Sequence, residues 1–311
     1  MPAFTATAPG KIILFGEHAV VYGQPAIAVP VLEVQARAIV NARPGGQGIN
    51  LIAPDIEISG GLEDLALDDA IALVIRLTLE ELGISQPPAC TLVISSSIPV
   101  AAGLGSGAAV SVAIIRALAG FLGHPLPDEA VNRLAFEVEK LHHGTPSGID
   151  NTVVTYRKPV YFIKDQPIQT FDIPIPFTIV IGDTGVVSPT VKAVSQVRAS
   201  YKAQPDLFQN YFNTCGMIAQ NARYQLGSMR NASLGPLMDD NHAVLQKMGV
   251  SSPELDTLVE AAREAGALGA KLSGGGQGGN MIALVEADQA EAVAAALQDA
   301  GAVRTIITTV R

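Results

Sequence analysis

Cysteine is scarce in this chain: Cys90 and Cys215 are its only two, far apart and without metal-ligand spacing. They read as reduced packing residues rather than ligands. Basic residues are also in deficit, with 20 Lys and Arg against 29 Asp and Glu and a net charge of −9. A nucleic acid or an anionic membrane wants a basic patch, so neither is expected as a partner. Small anionic ligands are not excluded, because a few local cations and N–H groups suffice for them. No apolar run approaches the roughly 20 residues that a membrane helix needs. The N-terminus lacks a charged stretch followed by an apolar one. A soluble, cytoplasmic protein is expected. Two nucleotide-binding signatures are missing too. Gly-x-x-x-x-Gly-Lys-[Ser/Thr] does not occur, and Gly103-x-Gly105-x-Gly107 lacks the Gly-x-Gly-x-x-Gly spacing and a clear βαβ unit around it. There is no internal repeat and no disordered tract.

What the chain does have is apolar material: 48% of its 311 residues are hydrophobic and 16% charged. That is enough for a large core, and two domains are expected. Proline is dense at Pro167, Pro174 and Pro176, where the sequence changes character, so the division is set at 1–172 and 173–311. The first half reads as strands over Ile12–Phe15, Ala26–Pro30, Glu33–Asn41 and Thr91–Ser97, with a hairpin over residues 49–58. Helices are expected over Asp68–Leu82, Ala108–Phe121 and 127–142, the first stopped by Gly83. Strands are expected again at Thr152–Thr155, Val160–Ile163 and Phe177–Ile181. The second half is helical over about 190–203, 206–227, 231–248 and 253–265. Strands follow at Ala270–Ser273, Met281–Val285 and Arg304–Val310, with a helix over Asp288–Ala300 for which Asp288 is the expected N-cap. This is an α+β pattern.

The organising stretch is Pro99 to Ala109, which joins a strand to a helix. Gly103, Gly105 and Gly107 let the backbone turn tightly and let a ligand approach the main chain. The helix start and its dipole then favour an anion such as phosphate. A tight turn packed on a neighbour is the alternative reading. A second cluster, Gly274-Gly275-Gly276-Gln277-Gly278-Gly279, places five glycines among six residues. The cost of ordering them points to close backbone approach by a ligand or by the first glycine loop. Six polar residues stand out in this background. Lys11 precedes a strand, and Glu17-His18 sits in apolar sequence, either as a surface turn or as part of a site. Glu137 and Glu139 lie beside a core stripe of Leu134, Val138 and Leu141, and periodicity does not choose between them. Asp150 stands at an expected loop-to-strand junction, as a turn cap or as a base held by the loop.

Taken together, Pro9–His18, Pro99–Ala109 and Lys271–Gly279 resemble, in order and separation, the three motifs of the GHMP kinases. Glu17–Ala26 and Glu139–Asn151 are most similar to the branch that phosphorylates mevalonate. The resemblance implies a two-domain α+β fold, with an N-terminal ribosomal-protein-S5-like domain and a C-terminal ferredoxin-like domain. It implies ATP and Mg²⁺ as cofactors and transfer to a primary hydroxyl. Asp150 matches the catalytic base and Lys11 the lysine paired with it. Pro99, Ala102, Gly103, Leu104, Gly105, Ser106, Gly107 and Ala108 match the ATP-phosphate loop. Glu139 matches the Mg²⁺ carboxylate. Glu17 and His18 match residues lining the mevalonate pocket, and Thr190, Lys192 and Arg198 match the region that takes the substrate carboxylate. Many relatives carry a second serine where this chain has Gly107, so Ser106, a water or a phosphate oxygen is left to supply that metal contact. Gln277 is a second departure, with phosphate or the facing loop as its partner. The implied partner is a small molecule, with a homodimer left open. Two rivals stand beside this reading. A family kinase acting on phosphomevalonate would want more cations than Lys11, Lys192 and Arg198. A non-catalytic ligand sensor would have no need to keep Lys11, Glu139 and Asp150 together.

Overall fold

The computed structural model describes residues 3–99, 102–143, 146–187, 190–228 and 233–311, and the side chains of residues 142, 143, 190 and 191 are not described. The chain forms two compact units that interleave in sequence. The first is Met1–Gly10, Val34–Pro99 and Gly105–Arg157, and the second is Lys11–Glu33, Val100–Leu104 and Lys158–Arg311. Strands β1 (Phe4–Phe15) and β2 (Ala26–Ala42) each contribute residues to both units and pair with one another.

In the first unit, β3 (Ile49–Ala53) runs parallel to β5 (Cys90–Ser96) and forms an antiparallel hairpin with β4 (Ile58–Gly61). The second half of β2 pairs antiparallel with β5, Ala36 opposite Ser96 and Ala42 opposite Cys90. Four helices accompany this sheet: α1 (Ala70–Glu81), α2 (Ser106–Phe121), α3 (Asp128–His143) and α4 (Ile149–Tyr156). Helix α2 packs against each of the other three. Its Ala, Val and Ile side chains are buried on nearly every face, as expected of a helix that is apolar all round. Helix α1 begins under Asp69, whose carboxylate accepts the N–H groups of Ile71 and Ala72.

In the second unit, β8 (Phe177–Asp183), β9 (Gly269–Ser273), β10 (Asn280–Val285) and β11 (Arg304–Val310) form an antiparallel sheet in the order β11–β8–β10–β9. Every residue of β9 and β10 is buried, which is why β10 reads as an apolar run rather than an alternating one, while β9 also buries Lys271 and Ser273. Helices α5 (Thr190–Ala203), α6 (Pro205–Gly227), α7 (Leu234–Lys247), α8 (Pro253–Glu264) and α9 (Ala290–Asp299) complete the unit. β6 (Val160–Phe162) pairs with residues 26–28 of β2 and with β7 (Gln169–Thr170).

Several expectations are corrected. Thr152–Thr155 is helical, inside α4, not a strand. Its β-branched residues favour a strand, but Gly148 at φ +86 opens the helix. Thr152 Oγ1 bonds back to the Gly148 carbonyl at 2.6 Å, and the helix packs on α2 and α3. Tertiary packing overrides the weak local preference. The two strands expected over residues 26–41 are one, β2, and Ile12–Phe15 is the end of the longer β1. The helix expected at Asp288 starts at Ala290 after a 3-10 turn, with Gln289 rather than Asp288 at the N-cap. Leu141, expected in the core stripe of α3, is 45% exposed. Among the described helices, none is long and apolar enough to cross a membrane. Cys90 and Cys215 are buried free thiols, which burial pushes up to about 11 and about 12. They are poor nucleophiles, consistent with packing roles.

Candidate active site

Within the second unit, the three glycine-bearing stretches meet. The Lys11 N–H donates to the Leu104 carbonyl at 2.9 Å, tying the first motif to the loop. Asn280 Nδ2, just past the third motif, donates to the Ala102 carbonyl. Ser273 Oγ donates to the Ile13 carbonyl at 2.8 Å. His18 Nε2 lies 2.9 Å from the Gly275 carbonyl. Residues hundreds of positions apart are thus held by hydrogen bonds whose loss would leave buried polar groups unsatisfied. Val100 and Ala101 of the loop lie outside the described residues, as do Gly144, Thr145, Ser188 and Pro189.

Glu17 and His18 are both buried, which removes the surface-turn reading. Glu17 does not offer its carboxylate as an open pocket wall. Its side chain is 0% exposed and paired with the equally buried Lys271. Burial pushes the Glu17 carboxyl up and the Lys271 ammonium down, each against the pull of its partner. His18 occupies φ +58, unusual for a residue with a side chain, at the head of the 3-10 turn Ala19–Tyr22. Desolvation holds its ring down to about 4, so it is neutral at pH 7. A neutral imidazole facing a carbonyl must carry its proton on the nitrogen that faces it, here Nε2. Tyr22, at the end of the same turn, stacks on Phe212 of α6 at 4.0 Å between ring centroids. Burial pushes the Tyr22 hydroxyl up while the Arg198 charge acts the other way, which puts Arg198 of α5 beside this turn. Arg198 and Lys192 are exposed, and Thr190 is the first residue of α5.

In the first unit, Gly105 caps α2 at φ +73, a conformation only glycine adopts cheaply. As the N-cap, Gly105 has no side chain to cap the N–H groups that follow at Ser106, Gly107 and Ala108. Uncapped N–H groups at a helix start, with the dipole behind them, suit an anion. Pro99 lies before α2 in this unit and Gly103 in the second; a Cβ on Gly103 would meet nothing within 4 Å. Glu139 of α3 is only 4% exposed, and a Cβ on Gly107 would sit 3.5 Å from its Oε1. Glu137, by contrast, is half-exposed and paired with Lys140 at 2.6 Å. Burial therefore separates the two acids where periodicity did not.

Asp150 lies in the first turn of α4, not at a strand, and a negative charge there complements the helix dipole. Its neighbour Asn151 anchors the turn, donating from Nδ2 to Asn132 Oδ1 at 2.6 Å. Sequence reasoning missed Asn132, Asn280 and Lys271 as supports. Lys271 alone had a local signal, a charge inside an apolar strand.

The second glycine cluster does something other than expected. Gly276 at φ +72 lies against Val250, whose carbonyl oxygen would be 1.9 Å from an added Cβ. Gly278 at φ +123 lies equally close to Val186, with 2.6 Å to its carbonyl oxygen. The Gln277 N–H donates to the Val250 carbonyl at 2.8 Å, and its Nε2 donates to Gln196 of α5 at 2.6 Å. These glycines close the loop against the protein's own backbone, and Gln277 faces a helix.

Comparison with known proteins bears on the family. Residues 69–158 match the family described as "GHMP kinases N terminal domain", and residues 222–303 match "GHMP kinases C terminal". The mevalonate kinase of Thermococcus sibiricus is 37% identical over 95% of this chain and 93% of its own. That of Pyrococcus horikoshii is 38% identical over 97% and 94%. Among solved structures, L. major mevalonate kinase in complex with R-mevalonate superposes with a TM-score of 0.85 at 30% identity, covering 99% of this chain and 95% of that one.

Proposed function

Because this chain belongs to the GHMP kinases, and within them to the mevalonate kinase family, we propose that it transfers the γ-phosphoryl group of ATP to the primary hydroxyl of mevalonate. The product is 5-phosphomevalonate, an intermediate of isoprenoid biosynthesis. What carries the reading is full-length similarity to mevalonate kinases in a chain that keeps Lys11, Glu139 and Asp150.

Phosphoryl transfer asks a protein for positioning and charge stabilisation rather than covalent chemistry. Asp150 orients the attacking hydroxyl and accepts its proton. Lys11 supplies positive charge toward the transferring phosphoryl group. The N–H groups at the start of α2, with the backbone of Gly103 and Gly105, cradle the ATP phosphates. His18 contacts mevalonate, and Thr190, Lys192 and Arg198 take its carboxylate. Glu17 acts from behind His18.

Mg²⁺ binds through one or two carboxylates together with substrate phosphates and water. It therefore needs no cluster of acids, and among the described residues no group of three or more His, Cys, Asp or Glu gathers for a metal. Glu139, buried beside Gly107 at the glycine-capped start of α2, fits such a site. Ser106 offers a hydroxyl on the same turn. When bound, the ion neutralises charge on the transferring phosphates.

The test is ADP release by the purified chain, with ATP and Mg²⁺, offered mevalonate, phosphomevalonate, homoserine or galactose. Turnover of mevalonate above the other three is expected. Preference for phosphomevalonate would reassign the substrate, and no turnover with any would support a ligand sensor.

A further inference from the structure

The buried Glu17–Lys271 pair is the feature of the second unit that packing alone explains least. Both side chains are 0% exposed, in a unit whose core is mainly apolar but also buries His18, Asn241, His242, Ser273 and Asn280. Removing two charges from water costs more than their attraction returns unless the geometry is very good, and apolar replacements of similar volume are often no less stable. Among the described residues Glu17 Oε2 is buried without a hydrogen-bond partner, so the pair does not use all of its bonding capacity there. Stability is therefore a weak reason for its presence.

Its placement suggests another. Lys271 sits in β9, which is paired along its length with β10. Its ammonium also donates to the Leu272 carbonyl at 2.7 Å and lies 5.9 Å from the centre of the Phe15 ring. From there it fixes Glu17, and four residues further on the same segment supplies the Gly275 carbonyl to His18. Ser273, between them, fixes Ile13. Residues 13, 17 and 18 are thus clamped by residues 273, 271 and 275. The clamped corner is one the backbone resists. Gly16 is at φ +96 with the Pro25 carbonyl oxygen 2.4 Å from where a Cβ would stand, and His18 is at φ +58. Strained backbone persists where its surroundings over-determine it, and such strain gathers at functional sites.

We propose that Lys271 is a positioning residue for the substrate site. Through Glu17 it holds His18 as the Nε2-protonated imidazole on the Gly275 carbonyl, which leaves Nδ1 as a hydrogen-bond acceptor. An acceptor nitrogen reads a hydroxyl of the substrate and not its carboxylate, which leaves the carboxylate to cations. The proposal deepens the reading of His18 as a mevalonate contact and rests on it for its kinetic arm only.

The test replaces both charges together, Glu17→Met with Lys271→Met, so that neither is left buried alone, and compares the full-length variant with the parent. The first readout is the ¹⁵N spectrum of the His18 ring, which reports the tautomer without any substrate. The parent is expected to show a single Nε2-protonated ring, and the double variant a mixture of tautomers. The second is steady-state kinetics. Mevalonate KM is expected to rise about tenfold or more, since small misplacements of binding groups cost that much. ATP KM is expected to move less than about threefold, a fraction of that free energy. A folded double variant that keeps the parent's tautomer and its mevalonate KM overturns the proposal. If the double variant does not fold, Lys271→Arg, which keeps the charge, is read the same way: a parental His18 spectrum with a displaced guanidinium overturns the proposal, and a mixed spectrum upholds it. If the parent does not use mevalonate at all, the proposed substrate fails, while the ring spectrum still decides the role of Lys271.

Discussion

The two glycine loops of this protein look alike in sequence and differ in the space around their glycines. In the first, a side chain at Gly103 would meet nothing within 4 Å, and one at Gly107 would only touch the Glu139 carboxylate at 3.5 Å. In the second, Gly276 and Gly278 are pressed against the backbone of Val250 and Val186, while Gly274 and Gly279, like Gly103, have nothing within 4 Å. Two glycines of the second loop close it on the protein's own backbone, whereas Gly103 and Gly107 leave space beside them. Glycine content alone does not say what a glycine does; the space around each one narrows it.

The contrast is broken most forcefully at Gly276. Gly276→Ala places a Cβ 1.9 Å from the Val250 carbonyl oxygen at φ +72. Loss of about 4 kcal/mol or more is expected, in the class of severe substitutions, read as a collapse of soluble folded protein or of the denaturant midpoint. A near-normal midpoint would mean that this loop is not closed as described.

Acidification comes next, because it attacks the His18 contact with the second loop. His18 and His242 are both held down to about 4 by burial, His242 with Asp256 pulling the other way. Between the unfolded value near 6.5 and 4, the unfolded chain binds protons that the folded chain does not. Their contribution to stability is complete above 6.5 and is lost as pH falls toward 4. Up to about 3 kcal/mol per ring is at stake at 1.36 kcal/mol per pKa unit. The raised carboxyl of Glu17 works in the opposite sense and softens the fall. Thermal midpoints across pH 7 to 4 should therefore drop, and His18→Asn should flatten the profile.

At the first loop the same kind of change should touch the ligand more than the fold. Gly103→Ala costs about 1–2 kcal/mol of stability from its positive φ, without a clash. It is expected to raise the ATP KM on the order of tenfold. A variant that lost stability as Gly276→Ala does, with ATP affinity intact, would erase the distinction. Gly107→Ser is the mildest. Its Cβ fits beside Glu139, and leaving glycine within a helix gains about 0.5 kcal/mol. A slightly higher melting temperature and an equal or lower KM for Mg·ATP are expected.

The three motifs, and the order that made them specific, were legible in the sequence because each is a local run. Most helices of the second half were legible too, since their apolar spacing is also local. What was not legible depended on partners far away in the chain. Glu17 looked like a surface turn or a pocket wall until Lys271, 254 positions later, was seen to enclose it. Periodicity could not tell Glu139 from Glu137; the family resemblance singled out Glu139, and burial on α3 separates the two. Thr152–Thr155 misled because β-branched residues speak for strands, while the packing of α4 against α2 and α3 speaks louder. The purpose of the second glycine cluster was misread because Val250 and Val186 leave no trace in the cluster itself.

The claim that this fold performs phosphoryl transfer with Asp150 as its base is tested most directly by Asp150→Asn. ATP binding, followed by calorimetry, should stay within about threefold of the parent. Mevalonate turnover should fall by about 10²–10⁴, the usual worth of a positioned base. Near-normal kcat in a folded Asp150→Asn variant would contradict the account and leave Asp150 as no more than a charge at the start of α4.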